Sequence, residues 1–424
     1  MEITKSFSSQ LFKDFSFLFS SNILKKFLGF IRELILAFLF GSSLVYASYL
    51  VLKTLTDFFS QFTFGNALQA NIVPRFSKLY KENTLLNLNN IDKFSKKIIV
   101  YIFLISFLSQ CLLILLLIKK FYLVLFISSF FLSVILSANF YNSLFLSIMQ
   151  ARGDFKKFSF STSLNILVAT LFLYPLSLML NIIGITISRL LGVLSLSYFY
   201  IKPIVLPNSG LEVNLSSKDF NFSVIFLANS SLFTLLLARL IIGFDGSNQI
   251  AFFNYSFILL NIILTSVIFN INIIFLRKIS INKSLVPLLY STLITLIISC
   301  ILYFIVSTYS FEIVNFIFNR GAFNNEDAIS TAFFLRLLTP AYIVLMFSTL
   351  FFQPFFSLGI NKIYKISNRF TLFLFLVLIS IISYIFLKNI ELVEGSFLFI
   401  NLMSKLLLLI SLVSLIYYIR HENK

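Results

Sequence analysis

The 424-residue sequence contains no tryptophan, one histidine and two cysteines. His421 stands alone in the polar tail, so an imidazole-based metal site has no second ligand. Cys111 and Cys300 both fall inside apolar runs, where they offer neither metal-ligand spacing nor a disulfide framework. Acidic residues are scarce, 16 against 33 Lys and Arg, for a net charge of +17. No P-loop and no nucleophile, base and orienter set is present, which argues against an enzyme. No A-x-A-like cleavage site follows the first apolar run, so that run is expected to be retained as a membrane span.

Apolar side chains are what remain. They make up 59% of the chain, with a mean hydropathy of +0.97, and 56 residues are phenylalanine. A soluble fold has nowhere to bury so much, so the reading is an all-α polytopic membrane protein. The excess of Phe, Ile and Lys reads as a low-GC coding bias. A window of about 19 residues gives about twelve spans, the first near 16–40 and the last near 395–419. With a cytoplasmic N-terminus, 21 basic residues fall in cytoplasmic segments and 4 (Lys119, Lys120, Arg320, Lys388) in outer loops. That asymmetry obeys the positive-inside rule, puts both termini in the cytoplasm and removes nucleic acid as the reason for the basic charge.

Eight basic residues remain within spans: Lys25, Lys26, Arg32, Lys53, Arg189, Arg239, Arg336 and Lys405. Each costs about 2.5–3.5 kcal/mol at a bilayer centre on insertion scales, so each needs a partner, a wet cavity or an interface. The densest group lies in Ser21–Gly41, SNILKKFLGFIRELILAFLFG, with Lys25, Lys26, Arg32 and Glu33. Seven-residue spacing puts these charges on one helical stripe, and Gly29 permits a bend in its middle. Arg32 and Glu33 read as cavity-facing; Lys25 and Lys26 either face the cavity or snorkel to the interface. Lys53 and Asp57, at i and i+4, form either a self-satisfied pair or part of the same lining. Arg239, near the outer end of its span, reads as snorkelling, and Arg336 precedes Pro340, which is expected to break or kink the helix. Lys405 lies mid-span and is weighted towards a lipid or cavity contact.

The chain divides near its middle. Lys202–Asp219 contains Pro203, Pro207 and Gly210 and has no apolar periodicity, so it reads as a linker. The expected layout is an N-terminal six-helix lobe at 1–203, a cytoplasmic linker at 204–219 and a C-terminal six-helix lobe at 220–424. Internal echoes support two halves: MQARGDFKKFSFS (Met149–Ser161) aligns with FFSLGINKIYKIS (Phe355–Ser367), and VPRFSK (Val73–Lys78) with FLRKIS (Phe275–Ser280). An even number of spans per half makes the repeat parallel. The basic stretch Arg75–Lys97 reads as a solvated loop or a surface helix attracted to anionic lipid.

Several of these stretches resemble one family. LKKFLGFIRELILAFLFG (Leu24–Gly41) is similar to the first-span signature of the MurJ (MviN) lipid II flippase family, with Lys26 at its first arginine, Leu28, Gly29 and Phe30 matching, Arg32 at the second arginine and Glu33 at the acidic residue. NALQANIVPRFSKLYKE (Asn66–Glu82), FNRGAFNNEDA (Phe318–Ala328) and FFQPFFSLGINKIYKISNRFT (Phe351–Thr371) resemble later family segments. The resemblance implies the fold of the multidrug/oligosaccharidyl-lipid/polysaccharide exporter superfamily, with two pseudo-symmetric lobes around a central cationic cavity. It departs at Ala47, where the family offers an aspartate, at Ser60 and Phe257, where it offers arginines, and in the span count, since the family commonly has fourteen.

The resemblance implies a flippase moving a polyprenyl-diphosphate-linked glycan for peptidoglycan biosynthesis in the bacterial inner membrane, by alternating access. Lys26 and Arg32 would bind the diphosphate, Glu33 would orient Arg32 or couple to a cation or proton, Lys53 would assist, and Asp57 would share the lining. No cofactor is expected, and coupling is expected to the membrane potential or a monovalent cation. The expected partners are the lipid-linked precursor and membrane lipid, with the chain a monomer. Three other readings stand: an exporter of small cations, disfavoured by the scarcity of acids; a non-transporting scaffold, supported by Ala47, Ser60 and Phe257; and an O-antigen or exopolysaccharide flippase.

Overall fold

The computed structural model describes residues 2–63, 76, 86–117, 122–205, 211–212, 222–264, 285–356 and 360–422. Its helices follow the apolar runs: α1 (Glu2–Phe40), α2 (Leu44–Thr63), α3 (Asn89–Leu117), α4 (Tyr122–Arg152), α5 (Phe155–Leu180) and α6 (Ile182–Leu196), which continues through a π turn, Ser197–Ile201, into α7 (Lys202–Val205). Then come α8 (Phe222–Ala228), α9 (Ser230–Gly243), α10 (Gln249–Leu264), α11 (Val286–Phe318), α12 (Asn325–Phe356), α13 (Ile360–Leu387) and α14 (Leu392–Glu422). Among the described residues, eight helices are long and apolar enough to cross a membrane, and the shorter Ser230–Gly243 and Gln249–Ile262 are also apolar. The chain is an all-helical polytopic membrane protein. α1 and α2, which carry the intramembrane charges of the first spans, fall outside those eight. Of the expected linker 204–219 the structure describes Ile204 and Val205, at the end of α7, and the two-residue strand β2 (Leu211–Glu212), which pairs in parallel with β1 (Leu86–Asn87); Arg75 and Arg277 of the echo lie outside the described residues.

The chain forms two compact units. The first comprises Met1–Ile35 and Phe59–Phe220, the second Leu36–Phe58 and Asn221–Lys424. The division near residue 220 falls at the end of the expected linker, and Leu36–Phe58, drawn within the expected N-terminal lobe 1–203, groups with the second unit.

In the first unit α5 packs on α6, and α4 on both α3 and α6. α1 runs along α5, where the Ser21 hydroxyl lies 2.9 Å from Ser163 Oγ and donates to the Ser159 carbonyl at 3.0 Å. Between α3 and α4, Gln110 Nε2 donates to Ser106 (3.0 Å) and Ser133 (3.3 Å), a polar contact of the kind that holds helices together where lipid removes the hydrophobic driving force. In the second unit α12 packs on α14, α11 and α10, and α9 packs on α14.

Corresponding features recur in each unit. The α5–α6 and α13–α14 turns each pass through a left-handed asparagine, Asn181 (φ 51°) and Asn389 (φ 49°). Ser163 bonds Ser21 on α1, and Thr371, at the matching place on α13, donates to the Ser223 carbonyl on α8 at 3.3 Å. The units differ at their first helices: α1 is unbroken, while α8 and α9 are separated at Asn229 (φ −105°, ψ 9°).

Two expected helix disturbances lie elsewhere. α12 continues through Pro340, as membrane helices do where their neighbours satisfy the freed backbone group, whereas α11 is kinked at Tyr309 (φ −117°, ψ 20°). Gly29 sits within continuous helix, and a Cβ there would meet nothing within 4 Å.

The attachment of Leu36–Phe58 to the second unit depends on two other glycines. Gly41 (φ +50°) closes α1, and a Cβ on it would overlap the Ala322 carbonyl. Gly321 (φ +64°) receives the Phe38 carbonyl and ring in the same way. The Ala322 amide donates to the Phe38 carbonyl at 2.8 Å, and Tyr255 Oη donates to the Gly41 carbonyl at 2.8 Å. The FNRGAF loop is thus shaped to hold the α1–α2 corner. Gly321→Ala is expected to lower stability by about 2 kcal/mol or more, from left-handed strain plus overlap, while Gly29→Ala leaves it unchanged or raises it by up to about 1 kcal/mol. Thermal unfolding of the detergent-solubilised chain separates the two.

Candidate functional site

The five residues expected to form the site divide between the two units. Lys26, Arg32 and Glu33 lie on α1 in the first, and Lys53 and Asp57 on α2 in the second.

In the first unit Arg32 Nη2 lies 3.0 Å from Glu33 Oε1, and Glu33 is only 4% exposed. The carboxylate therefore orients the guanidinium from the neighbouring position. Lys25 Nζ donates to Thr162 Oγ1 of α5 at 3.2 Å and stands 6.0 Å from the centre of the Phe158 ring. Lys26, one residue on, is partly buried. The result is a run of cations along α1, of which Arg32 is paired with an acid.

In the second unit Lys53 is buried at 8% exposure, one turn before Asp57. Asp57 accepts from Arg239 Nη2 at 3.1 Å. Arg239 is 3% exposed, so the expectation that it snorkels to the outer interface is wrong. Its Nε donates to Thr54 Oγ1 (2.6 Å) and its Nη1 to Asn254 Oδ1 (2.7 Å). One guanidinium thus ties together α2, α9 and α10. The sequence signal was present, because a desolvated arginine requires an acid and Asp57 was one of few in the spans. Helical spacing registers only neighbours on the same helix, so it offered Lys53 and could not offer Arg239.

The positions that depart from the family pattern are filled by packing. Ala47 is buried, and Phe257 lies against Tyr342 with ring centres 6.3 Å apart. Tyr342 in turn donates to Asn261 at 3.1 Å. Ser60 is partly buried. Among the described residues no group of three His, Cys, Asp or Glu could hold a metal ion.

No family model matches the sequence, and no curated protein matches it. Solved structures do. A structure of the lipid II flippase MurJ in an inward closed conformation superposes with a TM-score of 0.73 at 18% identity, over 95% of this chain and 87% of that one. The chain has the fold of these exporters. A multidrug resistance MATE transporter in its inward-facing conformation gives 0.67 at 13% identity, over 94% of each chain. A transporter of the same superfamily from Pyrococcus furiosus, described as having a binding pocket of reverse polarity, gives 0.56 at 15%, over 98% of this chain and 94% of that one.

Arg239→Met leaves Asp57, Asn254 and Thr54 without their shared donor. Breaking a buried pair costs about 3–5 kcal/mol, and with Asp57 28% exposed the expected loss is about 2–3 kcal/mol. Adding Asp57→Leu to Arg239→Met is expected to recover most of it. Unfolding midpoints of the single and double variants check this, and an interfacial arginine would give no loss in either.

Proposed function

We propose that this chain is a flippase that moves a polyprenyl-diphosphate-linked glycan, lipid II or a similar cell-wall precursor, from the cytoplasmic to the outer leaflet of a bacterial inner membrane by alternating access. The observation that carries the reading is the cationic run Lys25, Lys26 and Arg32 inside the first span of a fold shared with a lipid II flippase. A polyprenyl tail is at home in hydrocarbon, whereas a diphosphate is not. Moving it needs cations that replace water, and lysine and arginine supply charge-assisted hydrogen bonds to phosphate that strengthen in a low dielectric. Lys26 and Arg32 meet the diphosphate, Glu33 holds the Arg32 guanidinium in place, and Lys53 assists. Asp57 acts through Arg239, holding α2 beneath Lys53.

The acids of these spans, Glu33 and Asp57, are each engaged by an arginine, which disfavours a cationic cargo. Translocation needs no covalent step and no cofactor, and its driving force is the membrane potential or a monovalent cation. Both termini face the cytoplasm, and the monomer suffices. The scaffold reading rests on Ala47 and Phe257, whose positions are packed with apolar contacts. An O-antigen or exopolysaccharide flippase differs from the main proposal only in the glycan.

The test is lipid II flipping in cells depleted of their own flippase, comparing the wild-type chain with Arg32→Ala at equal membrane abundance. The wild type is expected to rescue, with flipping about tenfold or more lower for Arg32→Ala, the loss of one charged hydrogen bond. Rescue by both would retain the flippase and discard the site. Rescue by neither would discard lipid II as the substrate.

A further inference from the structure

We infer that the exposed face of α14 is a docking surface for a transmembrane helix of another protein carrying a carboxylate near its midpoint. Leu402, Lys405, Leu409, Leu412 and Ile416 are all exposed on α14. Their alternating spacing of three and four residues lines them up as one seam of the kind helices use to pack on each other. Asn401, also exposed, precedes Lys405 by one turn on the same face. Neither Asn401 nor Lys405 has a side-chain hydrogen bond among the described residues.

Depth determines what can satisfy Lys405. The charges that bracket the span are Glu394 and Arg420, about 16 Å and 22 Å away along a helix rising about 1.5 Å per residue. Lys405 thus sits close to the centre of a hydrocarbon layer about 30 Å thick. A four-carbon stem bridges less than half of the distance to either headgroup region, so snorkelling to a lipid phosphate falls short. A carboxylate on a partner helix at matched depth does not have to cross that distance. A second copy of this chain cannot supply it through the same seam, which would oppose two lysines. Nor do the intramembrane acids Glu33 and Asp57 serve, since each is engaged by an arginine. A lysine flanked by leucines therefore specifies an acidic partner and rejects self-pairing, while Asn401 adds a hydrogen bond that fixes register. This inference is independent of the transported substrate.

The experiment reconstitutes the full chain, with a photoreactive amino acid at Leu409, in phosphatidylcholine vesicles. The probe is a peptide of about 20 leucines, with or without one central glutamate. The glutamate peptide is expected to crosslink at about tenfold lower peptide-to-lipid ratio than the all-leucine peptide, the size of one interhelical polar contact. Lys405→Leu, which makes the face more apolar and leaves folding undisturbed, should abolish the difference, and Lys405→Arg should keep it. Equal crosslinking by both peptides, or an advantage that survives Lys405→Leu, overturns the inference. So does loss of the advantage when phosphatidylglycerol is added, since a lipid phosphate would then be occupying the cation.

Discussion

Arg239 cannot shed its charge and, at 3% exposure, cannot reach water. Its donors must therefore be satisfied inside the protein, and Thr54, Asp57 and Asn254 bring α2 and α10 to it. The α1–α2 corner is fixed to the same unit by the Ala322 amide, the Tyr255 hydroxyl and the Ser42 hydroxyl, which donates to Asp327 Oδ1 at 2.6 Å. Tyr46 stacks on Tyr255, whose ring packs against Phe318 and Phe323 at the two ends of the FNRGAF loop. With the corner held this way, the fold divides inside two helices as well as near residue 220. α1 changes unit between Ile35 and Leu36, and α2 between Phe58 and Phe59.

That division explains what the sequence could and could not disclose. The helices are legible because hydrocarbon demands long apolar runs with internally paired backbones, and among the described residues the apolar runs are helical. Membership of a unit is not legible from span counting, because it is set by contacts hundreds of residues apart, such as Gly41 against Ala322. The glycines did carry a signal. Gly41 and Gly321 stand in two of the stretches that resemble the family, and both have positive φ where a side chain would collide. Gly29 stands in the same signature but has open space around it, so its presence there has no packing explanation.

The candidate site was legible in its residue types and less so in its partners. Arg32 and Glu33 do pair, although adjacent helical residues do not face each other squarely. Lys25 was ambiguous because a lysine near a helix end can snorkel, and its bond to the hydroxyl of Thr162, distant in sequence, was not legible from the span alone. Arg239 was misread for the same reason in reverse: position along a span indicates depth, but whether a side chain faces lipid or protein depends on what packs beside it.

The distribution of arginine and lysine bears on selectivity. Arg239 is consumed by structure, and Phe257 and Ser60 stand where the resemblance has arginines. Lys26 stands where it has another, and Arg32 is the guanidinium among the proposed diphosphate ligands, already oriented by Glu33. Arginine grips phosphate with a planar fork that fixes its orientation, whereas a lysine ammonium is a point charge that attracts phosphate from many directions. If Lys26, Arg32 and Lys53 meet a diphosphate as proposed, the anion is held by charge more than by geometry. The attached glycan is then weakly constrained by its phosphates. On that proposal, discrimination among lipid-linked sugars comes from hydroxyl and amide groups elsewhere, and the diphosphate cations place lower demands on what is attached.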